Sequence, residues 1–156
     1  MKRFRNYLFF CIIAILIFLV CRNVDSGIKF DEGQIIINGQ TIKLNIADVY
    51  SKQAKGLSGQ SSLTDNQGML FVYQQLDNHA IWMKQMNFPI DIIWIDQQKI
   101  VDLMTNVPAP KVGDSTLPIY QPRADNKCFL EVNAGLVAKY HWQIGDSVVI
   151  TPDFCR

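Results

Sequence analysis

The sequence predicts a mainly β domain, a compact β-sandwich or barrel-like fold with one or two short helices, and three observations carry that expectation. Short apolar runs rich in Ile and Val recur from residue 34 to the C-terminus. Turn-forming pairs such as Asn38-Gly39 and Gly145-Asp146 separate them. The helices that a doubly wound α/β fold would need are missing from the pattern.

The elements follow in order. Residues 34–38 and 41–49 flank Asn38-Gly39, the pair best suited to the positive φ angles of a two-residue hairpin turn, so they read as two paired strands. Ser51 is placed to cap a short helix over 52–55, which Gly56 would end. Asp65 to Gly68 form a polar turn before a strand at 69–73. A further strand is expected at 81–84. Residues 90–96 read as a buried strand that turns through Gln97 and Gln98 into a partner at 99–104. Residues 106–123 hold Pro108, Pro110, Pro118, Pro122 and Gly113, which predicts an extended surface loop without regular structure. Strands at 128–132 and 148–151 bracket a helical turn near 136–141.

The chain has 156 residues, 49% hydrophobic and 19% charged, with 15 basic against 14 acidic side chains. That balance excludes the basic face of a nucleic-acid binder, and the apolar content excludes a disordered chain. The first 26 residues have the pattern of an export signal. Lys2, Arg3 and Arg5 precede an apolar run from Tyr7 to Val20, shorter than the ~20 residues that a spanning helix needs. Cleavage before Gly27 is expected, with a retained membrane anchor at residues 7–21 as the alternative. Either way residues 27–156 form one exported β-rich domain, periplasmic or otherwise outside the cytoplasm, touching the membrane only through the N-terminal segment. Cys128 and Cys155 then lie in an oxidising compartment and are candidates for a disulfide.

The motifs Gly56-Leu57, Gly68-Met69-Leu70-Phe71, Trp82-Met83-Lys84 and Phe88-Pro89-Ile90-Asp91-Ile92-Ile93-Trp94-Ile95-Asp96 occur in that order. Leu130-Glu131-Val132-Asn133-Ala134-Gly135 and Gly145-Asp146 follow. Together they resemble the family catalogued as domain of unknown function 192. The resemblance implies a compact, mostly β domain, frequently exported in bacteria, with no established general activity. Ser58 and Gln85-Met86 depart from that pattern, in which many members have Met after Gly-Leu and Asn-Thr after Trp-Met-Lys.

Several residues stand out for chemistry. Trp82, Lys84, Asp91 and Tyr120 are the ligand-binding candidates. Lys84 and Asp91 would either hold a polar ligand or form a structural ion pair around Pro89. Trp82, Trp94, Trp142, Tyr73, Tyr120 and Tyr140 would line a groove for a peptide or glycan unless they pack in the core. His79, Met83 and Met86 offer soft ligands for Cu(I), although methionines ordinarily fill cores. Asp91 and Glu131 could divide acid and base roles in a small hydrolase or isomerase. No nucleophile elbow surrounds Ser58, Ser61 or Ser62, and no phosphate-binding glycine loop or Cys-x-x-Cys occurs. The leading expectation is a non-catalytic accessory or binding module of the cell envelope, with no cofactor, whose partner is a small molecule, a peptide or an envelope protein.

Overall fold

The computed structural model describes residues 28–111, 113–114 and 116–155, so the expected export signal and its cleavage point lie outside the described residues. The strands are β1 (Asp31–Ile37), β2 (Gln40–Ala47), β3 (Gln67–Asp77), β4 (Ile81–Trp82), β5 (Ile90–Asp96), β6 (Lys99–Val107), β7 (Ile119–Tyr120), β8 (Asn126–Asn133) and β9 (Val148–Thr151). Two short helices, α1 (Tyr50–Lys55) and α2 (Leu136–Tyr140), complete the fold. Among the described residues no helix is long and apolar enough to cross a membrane.

Seven strands form one sheet in the order β6-β5-β8-β3-β2-β1-β9, antiparallel except for the β2–β3 pair. Its two ends meet. A bridge joins Lys99 to Ser147, the Ile100 N–H donates to the Asp146 carbonyl at 2.9 Å, and the Val148 N–H donates to the Gln98 carbonyl at 2.9 Å. The sheet is therefore curled into a half-barrel, which covers edges that would otherwise invite aggregation.

Strand alternation sorts the side chains onto two apolar layers. Ile35, Ile37, Leu44, Leu70, Ile93, Ile95, Leu130 and Val132 fill the inside of the curl with Trp142 from the segment after α2. Met69, Phe71, Ile90, Ile92, Trp94 and Phe129 face outward and are roofed by Leu57, Ile81, Met83, Met86 and Phe88. A sheet apolar on both faces needs such a roof, and the long stretch between β3 and β5 supplies it.

The β1–β2 turn has Asn38 at φ 48° and Gly39 at φ 80°, as the residue pair requires. Helix α1 departs from expectation at its start, because Val49 occupies the cap position without a side-chain bond and Ser51 lies inside the first turn. The expected strand at 81–84 shortens to Ile81–Trp82 because the backbone turns over, with Gln85 at φ 57°. The segment at 106–123 is not wholly irregular. Ile119 and Tyr120 pair with Trp82 and Ile81 as a two-stranded ribbon, and the Asn78 amide donates to the Pro122 carbonyl at 2.8 Å. Buried Asp102 on β6 anchors the segment's end by accepting from the Arg123 backbone N–H at 2.7 Å and from its guanidinium. That guanidinium holds the Asp102 carboxyl below its ordinary value, with the N–H groups of Arg123 and Leu103 assisting. Cys128 on β8 and Cys155 beyond β9 are joined by a disulfide across the inner core, with Cα atoms 5.8 Å apart.

Asp91 faces the inside of the curl and is fully buried. One oxygen accepts from the Asn106 N–H at 2.8 Å and the other from the Val137 N–H at 2.9 Å. Gly135 at the start of α2 has no side chain to cap it, so a carboxylate from β5 does that work from 46 residues away. Asp91→Ala should cost about 2–4 kcal/mol by leaving two backbone donors unpaired, and Asp91→Asn should recover part of that. Urea denaturation of both variants measures it, and equal losses would contradict the capping role.

A candidate pocket over Glu131

Sheet register positions the site. On β8, Glu131 stands between Met69 of β3 and Ile92 of β5, with its side chain on the outer layer beside Phe129. Gly68 allows this close approach, since a Cβ there would lie 2.9 Å from the Glu131 carbonyl oxygen. The end of α1 forms one wall of a pocket above the carboxyl. Gly56 takes φ 46° and lies against the Phe71 ring, and the Gln53 amide pins the helix to the Val72 carbonyl at 2.8 Å. Residues 80–86 form the opposite wall. They are tied to the first by the Ser58 hydroxyl donating to the Lys84 carbonyl at 2.9 Å and the Gly59 N–H donating to the Gln85 carbonyl at 2.9 Å.

The pocket encloses about 110 Å³. Phe71, Phe129, Tyr73 and Met86 line it together with Lys55, Trp82 and Lys84. Phe71 and Phe129 stack at 4.4 Å, and Tyr73 stacks on His79 at 3.7 Å. Glu131 is only 5% exposed, and no hydrogen bond or ion pair engages its carboxyl among the described residues. Burial pushes that carboxyl from 4.5 up to about 8, so at neutral pH it is mostly protonated. Burial, with a smaller contribution from Glu131, pushes the Tyr73 phenol up to about 12. Lys84 lies 5.1 Å from the centre of the Trp82 ring.

The structure divides the residues singled out from sequence. Trp82, 59% exposed, and Lys84 line the pocket. Asp91 does not join them, because it lies on the inner face with both oxygens committed to backbone donors, and the expected Lys84–Asp91 pair does not form. The pairing of Asp91 and Glu131 as acid and base also fails, since odd-numbered Asp91 is opposite Val132 and their side chains leave the sheet on opposite faces. Tyr120 is half-buried against the outer layer beside Ile81 rather than displayed on a free loop. No six-ring groove exists, because Trp94 and Trp142 are buried in different layers. Met83 and Met86 pack in the outer core, while the His79 ring is stacked on Tyr73 with Nε2 at 3.0 Å from the Gln75 carbonyl. Among the described residues no group of three His, Cys, Asp or Glu side chains could hold a metal ion.

Tyr73, expected from sequence in a ring-lined groove, lines this pocket instead, whereas Lys55, Phe71 and Phe129 are pocket residues that the sequence did not single out. One signal was present for their centre. In Phe129-Leu130-Glu131-Val132 an acid falls where alternation demands an apolar residue on either face of a central strand. A second hollow, about 310 Å³ over Lys43, Asn45 and Gln67, is larger but has no buried ionisable side chain.

Fold and pocket together define a half-barrel β protein whose outer layer carries a pocket lined by a nearly buried acid. Residues 33–150 match the family model of DUF192, described as an uncharacterised ACR, and the chain belongs to that family. A solved structure from Sinorhizobium meliloti 1021, described as a candidate transcription regulator, is similar with a TM-score of 0.70 and 21% identity, covering 80% of this chain and 97% of that one. A protein of unknown function from Novosphingobium aromaticivorans DSM 12444 is similar with a TM-score of 0.66 and 25% identity, covering 81% and 89%. No curated protein matches the chain.

Proposed function

We propose that this chain is an exported, non-catalytic module of the cell envelope that binds a small molecule in the pocket over Glu131. The observation that carries this reading is the Glu131 carboxyl, 5% exposed, unpartnered among the described residues and open to a walled pocket. A buried ionisable group without a hydrogen bond is destabilising, and a Leu or Met would fill the same position at less cost. Such a group in a cleft is a candidate binding residue. The apolar N-terminal run after Lys2, Arg3 and Arg5 supports export, and the Cys128–Cys155 disulfide is consistent with an oxidising compartment. The transcription-regulator description of the S. meliloti protein is not carried over, because likeness at 21% identity conveys the fold alone.

A fragment library screened by NMR against the methionine methyl and tryptophan indole signals tests the reading. Fragments are expected to shift Met86 and Trp82, and Glu131→Leu should abolish those shifts while keeping the fold. Fragments that bind only elsewhere, or that bind Glu131→Leu equally well, would refute it.

A further inference from the structure

The pocket is lined by one nearly buried acid, Glu131, and by two lysines, Lys55 and Lys84. The Glu131 carboxyl lacks a partner among the described residues, and once ionised beside aromatic rings it is satisfied by a cation. Among the described residues no cation fills that place. Lys52 is committed to Asp31 at 2.6 Å and Asp48 at 2.7 Å. Lys55 and Lys84 line the pocket, yet neither reaches Glu131 within salt-bridge distance and neither has an acidic partner among the described residues. Lys84 instead stays over the Trp82 ring. An anion entering between the two walls would meet both ammonium groups. Leu57, Phe71, Phe129 and Met86 supply apolar surface to the same pocket.

Resting on the reading that this pocket is a ligand site, we infer that its ligand is a short zwitterion, with a primary ammonium on Glu131, a carboxylate held by Lys55 and Lys84, and a hydrocarbon spacer between them. A cavity of about 150 Å³ holds benzene, so about 110 Å³ suits an ammonium and a spacer of roughly four carbons, with the carboxylate at the lysines. Seating the ammonium ionises Glu131, and the carboxyl proton leaves to buffer near neutral pH. The other titratable groups around it are Tyr73 from β3, Lys55 from α1, and Lys84 with His79 from the roof, His79 through its stack on Tyr73. The flanking residues Met69 and Ile92 are apolar.

The probes are 5-aminopentanoate, pentanoate, which lacks the ammonium, and pentylamine, which lacks the carboxylate. Titration calorimetry in buffers of different ionisation enthalpy reads affinity and proton release together. The expected result is 5-aminopentanoate binding at least about tenfold tighter than either control, with close to one proton released near pH 7. Glu131→Gln should abolish the proton release and weaken binding about tenfold or more, while thermal unfolding confirms that it folds. Lys55→Ala with Lys84→Ala should lower 5-aminopentanoate to the level of pentylamine and leave pentylamine unaffected. Pentanoate binding as tightly as the zwitterion, or zwitterion binding unchanged in Glu131→Gln, would overturn the inference. If screened fragments occupy the pocket but all three probes fail, the ligand class is wrong and the pocket reading stands. If no fragment occupies it either, both fail.

Discussion

Between about pH 5 and about pH 9 the protein is expected to lose stability, and Glu131→Gln is expected to remove most of that loss. The Glu131 carboxyl is pushed from 4.5 up to about 8 by burial, so the folded state holds its proton more tightly than the unfolded chain does. Stability linked to that proton is fully present below the unfolded value and is lost as pH rises through the folded one. At 1.36 kcal/mol per pH unit, the loss by pH 9 has an upper bound of about 5 kcal/mol. Asp48, Asp65 and Asp102 act in another window. Each is held below 3.8, by Lys52, Lys139 and Arg123 respectively, so their contribution is present above that value and lost only in acid. Urea denaturation of the wild type and Glu131→Gln across that range separates the two. Parallel curves would show that Glu131 titrates normally and that the pocket is wetter than its walls suggest.

Reduction of the Cys128–Cys155 disulfide should have the next largest effect. The bond closes a loop with a sequence separation of 27, for which the chain-entropy relation gives about 3–4 kcal/mol. Both cysteines are fully buried against the inner core, so the bond also holds the tail beyond β9 across the curl. Cys128→Ala with Cys155→Ala should lower the denaturation free energy by that amount and make the C-terminal segment the first to open to protease. Among the described residues those beyond β9 join no strand, so an undiminished free energy would mean that the unfolded chain is already restricted by other contacts.

Much of the local structure was legible because the forces that make it act over a few residues. Asn38-Gly39 names its turn, and the run of Ile and Trp from Ile90 to Asp96 names a strand covered on both faces. The motifs that resemble the domain of unknown function 192 likewise pointed to the family that residues 33–150 match. The site was legible only in part. Trp82 and Lys84 were singled out and line the pocket, whereas Asp91 and Tyr120 were singled out for chemistry and serve the fold. Asp91 shows why. A carboxylate in an apolar run looks the same in sequence whether its partner is a ligand or a helix N–H that lies 46 residues away.

By itself the sequence determined that the chain makes short strands, where its tight turns fall, and which two cysteines remain beyond the N-terminal segment. Those properties depend on backbone preference and on alternation within a segment. Only the tertiary structure decided that β2 and β3 run parallel, that β6 meets β9, and that Asp91 and Glu131 leave the sheet on opposite faces. Strand pairing between distant segments sets these features, and a slip of one residue in register would exchange the two faces. The same register lifts Glu131 out of the inner core and leaves it as a buried acid facing a pocket.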